Sequence, residues 1–156
     1  MKVLLRIRLL ILVFIAGLLI SGATAIPLET ELRILANWLH GEYGSAHWVL
    51  RVCDALTETN AKYPFIAYGT DWLAFAHFVI AILFIGPLRD PVKNVWVIEF
   101  GMIACVLVIP FALIMGSGRG IPLGWRLIDC SFGIVGILPL WLCRRLIQRL
   151  ASHEAG

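Results

Sequence analysis

Four stretches of this chain, residues 9–28, 72–88, 95–115 and 122–143, stay apolar for close to the length an α-helix needs to cross a bilayer. A hydrocarbon core about 30 Å thick takes roughly 20 largely apolar residues in a helix, and about 17 is the lower end of the range. Composition points the same way. Hydrophobic residues make up 60% and charged residues 15% of the 156, against roughly 45–50% and 25% in soluble domains. The expected fold is an all-α integral membrane protein, a bundle of four transmembrane helices forming a single membrane domain over residues 1–156. No internal repeat or low-complexity segment divides it.

The N-terminus carries Lys2, Arg6 and Arg8, then an apolar run from Leu9 to Ile20, then Ser21-Gly22-Ala23-Thr24-Ala25. This order fits a cleaved secretory signal peptide. It also fits a retained helix over 9–28, the favoured reading because apolar character resumes at Ile26. Either one exports the segment C-terminal to it. Residues 28–70 are more polar, and Leu28, Leu32, Leu35 and Leu39 form one stripe of an amphipathic helix beginning after Pro27. Gly41 and Gly44 interrupt it. A second short helix from Ser45 to about Thr59 places Val49, Val52 and Leu56 on one side. Trp38, Tyr43 and Trp48 suit a membrane interface. Pro110 stands inside the third span, and Gly116-Ser117-Gly118-Arg119-Gly120 reads as a turn before the fourth.

Basic residues set the expected orientation. Lys2, Arg6, Arg8, Arg89, Lys93, Arg144, Arg145 and Arg149 fall on one side, and Arg33, Arg51, Lys62, Arg119 and Arg126 on the other. The richer side is the cytoplasmic one, so both termini are expected inside and residues 28–70 on the exported face. The compact topology and signal-like start point to a bacterial inner membrane. The basic residues sit at segment ends rather than on one face, which does not suggest nucleic acid. Cys53, Cys105, Cys130 and Cys143 show no CxxC spacing. Free thiols are expected, with a Cys53–Cys130 bridge on the exported side as the alternative.

Ionisable residues inside the apolar runs are the candidate functional positions, because a charged group in hydrocarbon is costly and tends to face protein or water. His77 and Asp129 fall in the outer halves of their spans, with Arg126 one turn before Asp129. A histidine, a carboxylate and an arginine in one layer could relay protons or hold a polar substrate. The structural alternative pairs Arg126 with Asp129 and bonds His77 to a backbone carbonyl. Glu99 lies near the inner end of its span, as a coupling group or as the partner of Arg144, Arg145 or Arg89. His40 and His47 are weak metal candidates, since a His-x₆-His spacing is not diagnostic. Gly101, Ala104 and Cys105 on one helix, and Ser131, Gly133 and Gly136 on another, allow close helix contact.

No P-loop, HExxH, nucleophile-elbow or paired intramembrane histidine stands in the chain. No cofactor is expected on that basis. The favoured function is a non-enzymatic accessory or assembly component that works through contacts with lipid and with a protein partner or further copies of itself. A small membrane enzyme or redox protein built on His77 and Asp129 is the alternative, and an oligomeric ion or solute conduit a further one.

Overall fold

A computed structural model describes residues 2–38 and 45–154. Every regular element among these residues is helical. The order is α1 (Lys2–Ala25), α2 (Leu28–Trp38), α3 (Ser45–Lys62), a 3₁₀ turn (Pro64–Ala67), α4 (Tyr68–Leu83), α5 (Ile85–Arg89), α6 (Val95–Gly118) and α7 (Leu123–Glu154). Four segments are long and apolar enough to cross a membrane: Lys2–Ala25, Pro64–Arg89, Val95–Gly118 and Leu123–Ser152. In their most apolar windows only 11% of the first and 22% of each other span is buried, so most of their apolar side chains point outward.

The helix boundaries differ from the expected spans for local reasons. α1 starts at Lys2 rather than Leu9, because long unbranched basic side chains are good helix formers. It stops at Ala25 because Pro27 disfavours helical backbone at Ile26. The Pro27 carbonyl then accepts the Glu31 amide at 3.0 Å and opens α2. The second span begins earlier than residue 72 and breaks at Phe84, since Pro87 has no N–H to return to the Leu83 carbonyl. α6 runs through Gly116 and Gly118 instead of ending at Met115. Gly120, at φ +70°, stops it. Its amide bonds the Ser117 carbonyl at 3.1 Å, and the Ile121 amide bonds that of Gly116 at 2.9 Å. Both are bonds of a Schellman stop, which needs a left-handed residue at this position.

The chain forms two compact units, Met1–Gly17 with Ala81–Gly156, and Leu18–Ile80; α1 and α4 each contribute to both. In the first unit the centre is the α6–α7 pair. Val97, Ile98, Gly101, Cys105, Ala112 and Gly116 form the buried stripe of α6. Opposite them stand Cys130, Leu140, Cys143 and Ile147 of α7. A Cβ on Gly133 would collide with the Cys105 carbonyl, and one on Gly136 would stand 3.0 Å from the Cys105 sulfur. A Cβ on Gly101 would stand 2.8 Å from the Phe84 ring and 2.9 Å from Leu140. Small residues are what let these backbones approach. Ala104 and Ser131, grouped with them on sequence, are exposed instead. Ala104 falls off the buried stripe, and Ser131 lies on the far side of α7, where its hydroxyl donates to the Ile128 carbonyl at 2.6 Å. Ile7 and Ile11 of α1 are fully buried, and Phe14 packs on Phe84 with ring centres 4.7 Å apart.

The second unit holds α2 and α3 together through one carboxylate. Glu29 accepts from Asn60 at 2.7 Å, from Thr57 at 3.2 Å and from Arg33 of its own helix. The Asn60 amide, followed by Arg33 and Thr57, holds the Glu29 carboxyl below its ordinary value of 4.5. Val49 and Cys53 are the buried positions of α3. Val52 and Leu56, expected beside Val49, are half-buried. The α1 end of this unit meets α4 at Gly22, where an added Cβ would stand 2.8 Å from the Phe78 ring and 3.0 Å from the Ala74 carbonyl.

Candidate functional site

The intramembrane polar residues are distributed over the two units, and most are bonded within their own unit. His77, on α4, directs Nδ1 to the Leu73 carbonyl at 2.7 Å, one turn back along its own helix. A neutral ring that donates from Nδ1 keeps a bare lone pair on Nε2. The carbonyl contact is the structural alternative that the sequence offered for this residue.

Arg126 and Asp129 do not pair among the described residues, contrary to the structural alternative that their spacing offered. The Arg126 stem crosses Gly116, where a Cβ would stand 2.7 Å from its Cγ and Cδ. One terminal nitrogen donates to the Leu113 carbonyl at 3.3 Å. Its Nε is buried with no hydrogen-bond partner. The side chain is therefore drawn across the end of α6, away from the direction along α7 that Asp129 would require. Gly116 leaves the room for this, a role that its place in the sequence does not announce. A glycine opposite an arginine at the end of two antiparallel helices is the available signal.

Asp129 is exposed, with no ion pair or side-chain hydrogen bond among the described residues. It stands one helical turn before Gly133, on the side of α7 that meets α6 further along at Gly133 and Leu140. Its side chain is uncovered there, although the neighbouring Cys130 is buried against α6. Asp129 lies six residues inside the start of α7, roughly 9 Å along the axis at 1.5 Å per residue.

Glu99 has the partner that its position suggested. Its carboxylate accepts from Arg144 Nε at 2.8 Å, 45 residues away in sequence. Both side chains are partly exposed, 45% and 38%, which limits what the pair contributes to stability. The adjacent Arg145 behaves differently. Its guanidinium lies over the Trp141 ring, 3.8 Å from the centroid, a pairing set by i, i+4 spacing and absent from the partners expected for this arginine.

His47 is exposed at the start of α3, and its suggested partner His40 lies outside the described residues. No group of three or more His, Cys, Asp or Glu among the described residues is arranged to hold a metal ion. All four cysteines are buried free thiols, and the Cys130 sulfhydryl faces the Ile109 carbonyl at 3.8 Å. Of the two surface carboxylates of α3, Glu58 pairs with Lys62 at 2.8 Å and Asp54 is exposed.

The chain matches no protein-family model, and no curated protein or solved structure matches it.

Proposed function

We propose that the protein is a four-span component of a bacterial inner membrane, with both termini inside and α2 and α3 on the exported face. It acts there as a non-enzymatic accessory or assembly partner. One observation carries this reading. Of the four candidate ionisable side chains, His77, Arg126 and Glu99 bond to their own unit, whereas Asp129 is exposed on the packing side of α7 and unpaired among the described residues. A carboxylate at that depth is costly in hydrocarbon and favours a polar or cationic group from another polypeptide. Phe132, one turn further along, is 68% exposed and supplies apolar area beside it.

The test is site-specific photocrosslinking from position 132 in native membranes. A discrete protein adduct is expected, and it should weaken in Asp129→Asn and nearly vanish in Asp129→Leu. An interhelical polar contact in a membrane contributes about 1–2 kcal/mol, or roughly a 5- to 30-fold loss of association. Labelling confined to lipid, or an adduct unchanged in both variants, would overturn the reading.

The His77 ring, whose Nδ1 meets the Leu73 carbonyl while Nε2 has no partner among the described residues, favours a second reading, a small membrane enzyme or redox protein that uses this nitrogen as base or ligand. A normally accumulating His77→Ala protein with full biological function would remove it.

A further inference from the structure

We infer that the arginine-rich end of the first unit is a binding site for one anionic phospholipid, with the phosphate held by Arg6, Arg145 and Arg149 and an acyl chain lying along leucines of α1 and α7. Two adjoining hollows form it. One, of about 470 Å³, is lined by Arg6, Leu9 and Leu10 of α1 and by Leu142, Leu146 and both α7 arginines. The other, of about 380 Å³, shares Arg145 and Arg149 and adds Gln148 and Ser152. The apolar hollow therefore opens directly onto a polar one. That order suits a molecule with an apolar tail and a hydrogen-bonding anionic head.

Charge decides the class of lipid. Three arginines stand at residues 144, 145 and 149, but Arg144 is neutralised by Glu99 at 2.8 Å. Arg145 and Arg149, one turn apart, and Arg6 face the hollows, and no carboxylate lines either one among the described residues. Three guanidiniums without a counter-charge among the described residues attract a phosphate, and arginine's planar fork binds its oxygens in pairs. Basic pockets between transmembrane helices are suited to anionic headgroups. Arg145 is also held in place, stacked on Trp141, so less side-chain freedom is lost on binding. Trp141 in turn is a ring type that prefers the headgroup level. The site goes beyond the accessory reading and does not depend on it. It does require α1 in the mature chain, whose Ile7 and Ile11 are fully buried in the first unit.

Native mass spectrometry of the full chain tests the site, after delipidation and exposure to equal amounts of phosphatidylglycerol and phosphatidylcholine with identical acyl chains. One retained phosphatidylglycerol is expected, preferred over phosphatidylcholine by about tenfold. The Arg6→Gln/Arg149→Gln protein should lose that preference, and Arg89→Gln/Lys93→Gln, which removes equal charge elsewhere, should keep it. Leu9→Trp fills the apolar hollow with every arginine intact, should also release the lipid, and decides the matter if the double arginine variant does not fold. Equal retention of both lipids, loss in both double variants alike, or retention by Leu9→Trp would overturn the proposal. Displacement by inorganic phosphate alone would make the site one for a free anion and overturn it too. An intact mass lacking residues 1–25 would remove α1, and the site with it, while leaving the Asp129 crosslink unaffected.

Discussion

The α6–α7 pair and the α2–α3 pair are both antiparallel helix hairpins, yet they are held by opposite means. α6 and α7 meet through missing atoms: Gly101, Gly133 and Gly136 let backbone and ring surfaces approach to distances that a Cβ would forbid. α2 and α3 meet through a charged group, Glu29, which gathers Asn60, Thr57 and Arg33. In hydrocarbon there is no hydrophobic drive between helices, so close packing has to supply the attraction. In water a carboxylate can collect donors without being stranded, because solvent satisfies its remaining lone pairs. The two hairpins thus rest on two kinds of contact. The glycine contacts of α6–α7 should respond to added volume and not to pH, and the Glu29 clamp of α2–α3 should do the reverse.

The largest effect is expected at Gly133. Its neighbour is the Cys105 carbonyl, a backbone atom that cannot rotate away, so Gly133→Val should destabilise the α6–α7 pair by about 3 kcal/mol or more. Denaturant titration in detergent measures this, and a loss under about 1 kcal/mol would show that the helices slide apart at low cost. Gly101→Ala meets side chains of Phe84 and Leu140 rather than backbone. A loss of about 1–2 kcal/mol is expected, with no change between pH 7 and pH 4. A pH-dependent loss would break the contrast between the hairpins.

The α2–α3 pair supplies the converse test. The folded carboxyl of Glu29 is held below 4.5, so its stabilising effect is fully present above that pH. It is lost as the pH falls through the lowered folded value. The helical circular dichroism of the whole protein should therefore fall reversibly below pH 4.5 by more in the wild type than in Glu29→Gln. Coincident curves would show that the carboxylate is not the clamp. The smallest effect is expected at Gly118, where an added Cβ meets nothing within 4 Å. Gly118→Ala should stabilise slightly, by about 0.5 kcal/mol, through helix propensity alone. A loss there would mean that α6 is closely packed beyond Gly116.

Much of the frame is legible in the sequence. Apolar length, the Pro27 break and the Leu28 stripe are local properties, and each emerges as a helix or a helix boundary in the structure. The end of α6 is less so. Gly116 and Gly118 read as a turn, yet a glycine at negative φ can continue a helix, and Gly120, at φ +70°, is the residue that ends this one. The candidate residues stand out by a chemical rule, that ionisable groups are rare in hydrocarbon. Their partners are harder to read. Arg126 and Asp129 at i, i+3 look like a pair, but the room above Gly116 offers the arginine the Leu113 carbonyl instead.

The sequence by itself determined that this protein is helical, that four of its segments can cross a membrane and where its unusual polar residues stand, because bilayer thickness and helix rise are fixed lengths that a linear chain either meets or does not. Only the tertiary structure decided which of those groups are used up. It joined Glu99 to Arg144, drew Arg126 over Gly116, left Asp129 open and brought Arg6 beside Arg145 and Arg149. Each of these outcomes depends on distances of a few ångströms between side chains, and at Gly116 a single absent Cβ determines which polar atoms Arg126 can meet.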